Sequence, residues 1–143
     1  MEKSCSIVIP AYNEEVAIGE VIDSVNRTMQ GSSYGYEIIV VDDGSTDRTV
    51  EIVKTKNAKL VSHLENKGIG TARKTGIRES RYDIVVMIDG DGTYPAEDIP
   101  KLLEYIPPYD MVVGARKREA GAVPVLRDAG QMVYKKNCRI YYR

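Results

Sequence analysis

Ile84–Val85–Val86–Met87–Ile88–Asp89–Gly90–Asp91–Gly92–Thr93 runs five apolar residues into two carboxylates separated by one glycine. A short unbroken apolar run bounded by turn residues reads as a strand buried on both faces, as in a parallel sheet flanked by helices. The carboxylates then sit where that strand ends, and in open α/β sheets the crevice beyond the carboxyl ends of the strands is the usual ligand site. Asp89 and Asp91 are two apart in an extended segment and can face the same side. Gly90 and Gly92 remove side-chain bulk, so a ligand can approach the backbone. Hard oxygen donors suit Mg2+ or Mn2+, and a site with one or two carboxylates completes its shell with water and substrate phosphate. The stretch therefore reads first as a metal–diphosphate site.

Two Asp-Gly pairs are also ordinary turn chemistry. An EF-hand loop is excluded, because its glycine position holds Tyr94 and its last glutamate position holds Pro100. A stronger competitor is the haloacid-dehalogenase-like phosphatase class, whose opening motif of a hydrophobic strand and then Asp-x-Asp-Gly-Thr this stretch resembles, with Asp89 as the nucleophile. Only the rest of the chain separates the two.

At 143 residues the chain is one domain, large enough to bury a core. A formal net charge of −1 with acids and bases interspersed argues against a general nucleic-acid or membrane-surface binder. Met1–Ser4 leads directly into a strand-like run, with neither an opening signal peptide nor a long apolar span, so the chain as given is expected to be soluble. Cys5 and Cys138 lie far apart and read as reduced thiols of an intracellular protein. Phe and Trp are absent, which leaves a core of Ile, Val and Leu.

Ser6–Ile9 is the first buried strand, stopped by Pro10. Asn13, Glu14 and Glu15 open a helix in which Ile18, Val21, Ile22, Val25 and Met29 keep helical spacing. Glu37–Val41 is the second strand and ends at Asp42–Asp43–Gly44; Ser45, Thr46 and Asp47 are N-cap types for a short helix to about Lys56. A third strand near Lys59–Leu64 leads through Asn66–Lys67–Gly68 into a helix with Ala72, Arg73 and Ile77. After the motif strand, a helix begins between Pro95 and Pro100 and runs to about Ile106, and Met111–Ala115 is a further strand. Strand and helix alternate, so the expected fold class is α/β, a mostly parallel sheet wrapped by helices. His63 reads as a strand-surface or core residue, since no partner His or Cys stands at ligand spacing.

Four strand ends carry polar groups: Pro10–Ala11–Tyr12–Asn13–Glu14, Asp42–Asp43–Gly44–Ser45, Asn66–Lys67–Gly68 and Asp89–Gly90–Asp91. A parallel sheet gathers them along one edge, where a stacking ring and several carboxylates suit a nucleotide whose base and diphosphate need separate recognition. These segments, with Val40–Val41 before the second and Ala72–Arg73 beyond the third, resemble the family 2 glycosyltransferases with the Rossmann-like GT-A fold, from about Ser4 to Arg116. The phosphatase reading weakens, because its motif ordinarily opens the domain, whereas here much of the sheet precedes it. Tyr12–Glu14, Ile99–Leu103 and Val113–Arg116 look most like the polyprenyl-phosphate (dolichol-phosphate) mannosyl- and glucosyltransferases.

The resemblance implies a metal-dependent inverting transfer from a GDP- or UDP-sugar to an acceptor, a polyprenyl or dolichyl phosphate or a sugar. It implies that Pro10, Tyr12 and Glu14 line the base and ribose pocket, with Val41 and Asp43 beside the nucleoside. Asp89 and Asp91 would hold Mg2+ or Mn2+ against the diphosphate, with Gly90 at the close approach and Arg116 and Arg73 meeting phosphate. Thr93 stands where the dolichol-phosphate branch often has a glutamine ligand, a departure from that pattern. The expected partners include no nucleic acid, and the expected location is the cytoplasm, at the cytoplasmic face of a membrane for a lipid acceptor.

The metal would neutralise charge growing on the leaving nucleoside diphosphate, so the two aspartates act by positioning and electrostatics. A lipid phosphate is already anionic and needs little help from a base. A sugar hydroxyl needs one, and that base is unassigned; Asp128 reads as a solvated loop acid. Residues 1–116 are expected to form the nucleotide-sugar-binding core. Residues 117–143 read as a basic, irregular tail, the start of an incomplete acceptor region, since members of the family are longer. A non-catalytic nucleotide-binding fragment is the remaining alternative.

Overall fold

The apolar runs of the chain become the middle of one sheet in the computed structural model, which describes residues 3–115 and 129–136. In chain order the elements are β1 (Ser4–Ala11), α1 (Ile18–Gln30), β2 (Gly35–Asp42), α2 (Thr49–Lys54), β3 (Lys59–Ser62), α3 (Ile69–Glu79), β4 (Ile84–Met87), a 3-10 turn (Ala96–Asp98), α4 (Ile99–Leu103), β5 (Met111–Ala115) and β6 (Ala129–Lys135). The strand order is β3-β2-β1-β4-β6-β5. β1 pairs in parallel with β2 and β4, and β2 with β3, while β6 runs antiparallel to both β4 and β5.

Alternate residues of the central strands enter two separate cores, as a pleated strand requires. Ile7, Ile9, Ile38, Val40, Val86 and Ile88 pack on one face with Ile18, Ile22, Val25 and Met29 of α1 and with Ile99 and Leu103 of α4. Val8, Ile39, Val41, Val85 and Met87 pack on the other with Ala72 of α3. Burial on both faces is why these strands carry no polar alternation. α3 lies very close to β1, because a Cβ built on Gly76 would stand 2.1 Å from Val8 Cγ1.

One element was not visible in the sequence. Residues 129–135, inside the stretch expected to be irregular, form β6, which fills the slot between β4 and β5. Its apolar signal is only Met132–Val133–Tyr134: Val133 enters the α1 core, and Met132 and Tyr134 face the α3 side. Three residues are too few to declare a strand, and the hydrogen-bonding edges of its neighbours decide it. Helix starts also moved. α1 begins at Ile18 rather than near Asn13, because Asn13 takes a left-handed φ of 53° and the segment's N–H groups bond elsewhere. α2 begins at Thr49, later than its capping residues suggested, and α4 ends at Leu103, with turns carrying the chain to Ile106.

Side chains tie the loops at the carboxyl edge to one another. Asn13 N–H donates to Ser45 Oγ at 2.9 Å, and Thr46 N–H donates to Asn13 Oδ1 at 2.8 Å. Glu14 N–H reaches Thr49 Oγ1 at 2.8 Å and Glu15 N–H reaches Asp47 Oδ2 at 3.1 Å. Ser45 and Thr46 are thus spent on the β1–α1 loop, while Asp47 divides between it and the Thr49 N–H, which donates to Oδ1 at 2.9 Å. Beneath them Asp43, at the end of β2, accepts Lys67 N–H on Oδ1 (3.0 Å) and Gly68 N–H on Oδ2 (2.8 Å), and His63 Nδ1 lies 2.6 Å from Oδ1. Gly44 turns beside it at φ 77°, where a Cβ would meet the Glu65 carbonyl carbon at 2.6 Å. Burial alone would raise the Asp43 carboxyl; the hydrogen bonds from His63, Lys67 and Gly68 outweigh it and hold the group below its ordinary value.

This packing makes two expectations about stability. Gly76→Ala should destabilise the fold by about 2 kcal/mol, read as a lower denaturant midpoint, because overpacking outweighs the entropic gain of losing a helical glycine. Because Asp43 is more acidic folded than unfolded, its contribution is complete above the ordinary aspartate pKa and is lost as pH falls through the folded value. Asp43→Asn should therefore lower the urea midpoint at about pH 6 and shrink the further drop on going to about pH 3.

Candidate active site

Where β1, β2 and β4 end, their following loops and the start of α3 enclose a cleft of about 390 Å³. Its lining includes Pro10, Ala11, Tyr12 and Glu14 from the end of β1 and the loop after it, Asp43 after β2, and Asn66, Gly68, Ile69 and Ala72 at the start of α3. Asp89, Gly90 and Asp91 close the end beyond β4. Of the residues expected from sequence, Pro10, Tyr12, Glu14, Asp43, Asp89, Gly90 and Asp91 share this one space. The two aspartates therefore border the same cleft as Tyr12, which has nearly half its surface exposed.

Gly90 lies close to β1 and α1, since a Cβ there would stand 3.2 Å from both Ile18 Cδ1 and the Pro10 carbonyl oxygen. The β4 loop is thereby seated against the end of β1. Asp91 is oriented by its own turn: Oδ1 accepts the Thr93 N–H at 2.9 Å and the Thr93 hydroxyl at 2.7 Å. Thr93 thus serves the aspartate two residues before it. Asp89 Oδ1 accepts from Arg73 Nη2 at 3.2 Å, a pair with each side chain roughly seven-tenths buried, and the Arg73 Nε is buried without a hydrogen-bond partner. Arg73 is outside the cleft lining but is held against its acidic end.

The charge at that end is unbalanced. The Glu14 carboxyl is pushed up from its ordinary value, first by burial and then by the charges of Asp91, Asp47 and Asp89. Among the described residues, no group of three or more His, Cys, Asp and Glu could hold a metal ion. Asp89 and Asp91 nonetheless fit Mg2+ or Mn2+ as hard oxygen donors in a negative field, in the manner of sites that leave most positions to phosphate and water.

Val41 and Arg73, both expected at the site, are not part of the cleft lining. Val41 is fully buried in the core beneath α3, because its pleat position points it away from the strand end. Arg116 lies outside the described residues. Asn66, Gly68, Ile69 and Ala72 were not predicted as lining, although three of them lie in the segments that carry the resemblance. Ile69 had no chemical signal; only the path of the β3–α3 connection places it there. His63, expected at a strand surface or in the core, is almost buried and bonded to Asp43.

Comparison with known proteins bears on this geometry. The chain is 37% identical over 131 residues to the dolichyl-phosphate hexose transferase of Haloferax volcanii, covering 90% of this chain and 55% of that protein. It is 36% identical over 123 residues to the dolichol-phosphate mannosyltransferase of Pyrococcus furiosus, covering 82% of this chain and 34% of that protein. The chain thus spans about a third to just over half of the length of these relatives. The mannosyltransferase PcManGT from Pyrobaculum calidifontis, solved in complex with GDP-Man and Mn2+, superposes with a TM-score of 0.70 at 27% identity, over 79% of this chain and 35% of that one. These matches give the phosphatase reading no support. The glycosyl transferase family 2 profile matches residues 6–142, nearly the whole chain, and the protein belongs to that family.

Proposed function

We propose that the cleft binds a nucleotide-sugar, a GDP- or UDP-sugar, and that the protein transfers its sugar with inversion to a polyprenyl-phosphate acceptor. The observation that carries this reading is that Asp89 and Asp91 border the same cleft as Tyr12 and Glu14. The relatives named for dolichyl- and dolichol-phosphate transfer, and the neighbour solved with GDP-Man and Mn2+, support the donor and acceptor classes.

Pro10, Tyr12 and Glu14 take the base and ribose, Tyr12 by presenting a ring face and Glu14 by accepting from sugar hydroxyls. Asp89 and Asp91 hold Mg2+ or Mn2+, which when bound neutralises charge growing on the departing diphosphate. Gly90 lets that diphosphate approach the backbone. Arg73, already at Asp89, supplies a cation to the phosphates, and Arg116 is assigned the same task from the resemblance. A phosphate acceptor is itself anionic and attacks the anomeric carbon opposite the leaving group, so no carboxylate base is required. Among the described residues no helix is long and apolar enough to cross a membrane. Encounter with a lipid acceptor at a membrane surface and cytoplasmic placement both belong to this proposal.

A thermal-shift and calorimetric panel of GDP- and UDP-sugars with and without Mn2+ tests the reading. The wild-type chain should be stabilised by one class of donor only when Mn2+ is present. Asp91→Asn should lose at least about tenfold in that affinity with the far-ultraviolet circular dichroism unchanged. Equal binding by the variant, or none by the wild type, overturns the proposal. Arg73→Ala should weaken donor binding roughly tenfold while leaving Mn2+ alone bound as tightly or more so, because Asp89 loses a competing partner.

A further inference from the structure

His63 stands between the end of β2 and the middle of α3 and bonds to both. Its backbone N–H continues the β2–β3 ladder to the Asp42 carbonyl at 2.8 Å, which seats the ring beside the end of β2. Nδ1 lies 2.6 Å from Asp43 Oδ1 and Nε2 lies 2.9 Å from Thr75 Oγ1 on α3. A carboxylate can only accept, so Nδ1 carries the hydrogen; the Thr75 hydroxyl can donate to or accept from Nε2. Asp43 in turn holds the backbone N–H groups of Lys67 and Gly68, immediately before α3. α3 starts from Gly68 at φ 86° with no side-chain cap, so its first turn depends on outside contacts for position. Through His63 the helix is held at its entry, by way of Asp43, and again at Thr75. Between those points lie Ile69 and Ala72 of the cleft wall and Arg73, which reaches Asp89.

We propose that His63 is a positioning residue for the donor: it fixes Asp43 and α3 so that the Asn66–Gly68 wall and Arg73 are set for the nucleotide diphosphate before it binds. The assignment rests on the nucleotide-sugar reading of the cleft. Three of the acceptor positions on the Asp43 carboxylate are already occupied by protein donors. Losing His63 leaves a buried charge short of a partner, and relief comes through water entry or a shift of the 66–68 segment. Either change loosens a wall of the cleft without touching Asp89 or Asp91. The expected signature is weaker donor binding for GDP and UDP alike, since the whole wall is displaced and recognition of the base is left as it was.

Calorimetric titration of GDP and of UDP with Mn2+ at a temperature well below unfolding tests this on the wild-type chain, His63→Ala, His63→Asn and Thr75→Val. The wild type should bind at least one of the two. His63→Ala should weaken whichever is bound roughly tenfold. His63→Asn, whose amide can still donate to Asp43, should stay within about twofold of the wild type, and Thr75→Val should fall between them. A purely structural role would lower the melting temperature of His63→Ala and leave the affinity of the folded protein unchanged, and that result overturns the inference while the nucleotide reading stands. His63→Asn binding as weakly as His63→Ala also overturns it. If His63→Ala does not fold, Thr75→Val binding with wild-type affinity overturns it. Absence of nucleotide binding by the wild type would remove the nucleotide reading and this inference together.

Discussion

Everything at the cleft depends on the parallel alignment of β1 with β2 on one side and β4 on the other. Three strands that run the same way must deliver their following loops to one edge, whatever those loops contain. Both faces of these strands are covered, by α1 and α4 on one side and α3 on the other, so their apolar content is spent on packing. Chemistry is left to the residues just past each strand end. Asp43 and Asp89 are such residues, and Tyr12 follows directly on Ala11.

The carboxylates at this edge divide by what surrounds them. Asp42 and Asp43 are buried and turned toward protein donors: the Ser45 N–H for one, and His63, Lys67 and Gly68 for the other. Their charge is consumed in shaping loops. Asp89, Asp91 and Glu14 line the cleft, and the Glu14 carboxyl is raised first by burial and then by the charges of Asp91, Asp47 and Asp89. A buried carboxylate is tolerated when hydrogen-bonded. Of the three at the cleft, Asp89 already pairs with the Arg73 guanidinium.

The architecture is shared with family 2 relatives of which this chain spans only part. What it does contain is the portion in which the loops around the cleft are tied to each other. The β1–α1 loop is pinned to the segment before α2, and the β3–α3 connection is pinned to the end of β2. Ties of this kind lower the ordering cost of binding, because the walls stand in place before a ligand arrives.

Local pattern was enough to read the α/β class, the apolar face of α1, and the meeting of Tyr12, Glu14, Asp43, Asp89 and Asp91, because unbroken apolar runs ending in acids force both burial and convergence. It was not enough for Val41, whose pleat turns it into the core, or for β6, whose three apolar residues acquire meaning only between two open strand edges. Nor could spacing reveal His63, which lies 20 residues from Asp43 in the chain. Backbone preference and hydrophobic period are written locally and survive in the sequence. Which donor meets which buried acceptor depends on how separate elements dock, and only the folded chain brings those groups within 3 Å.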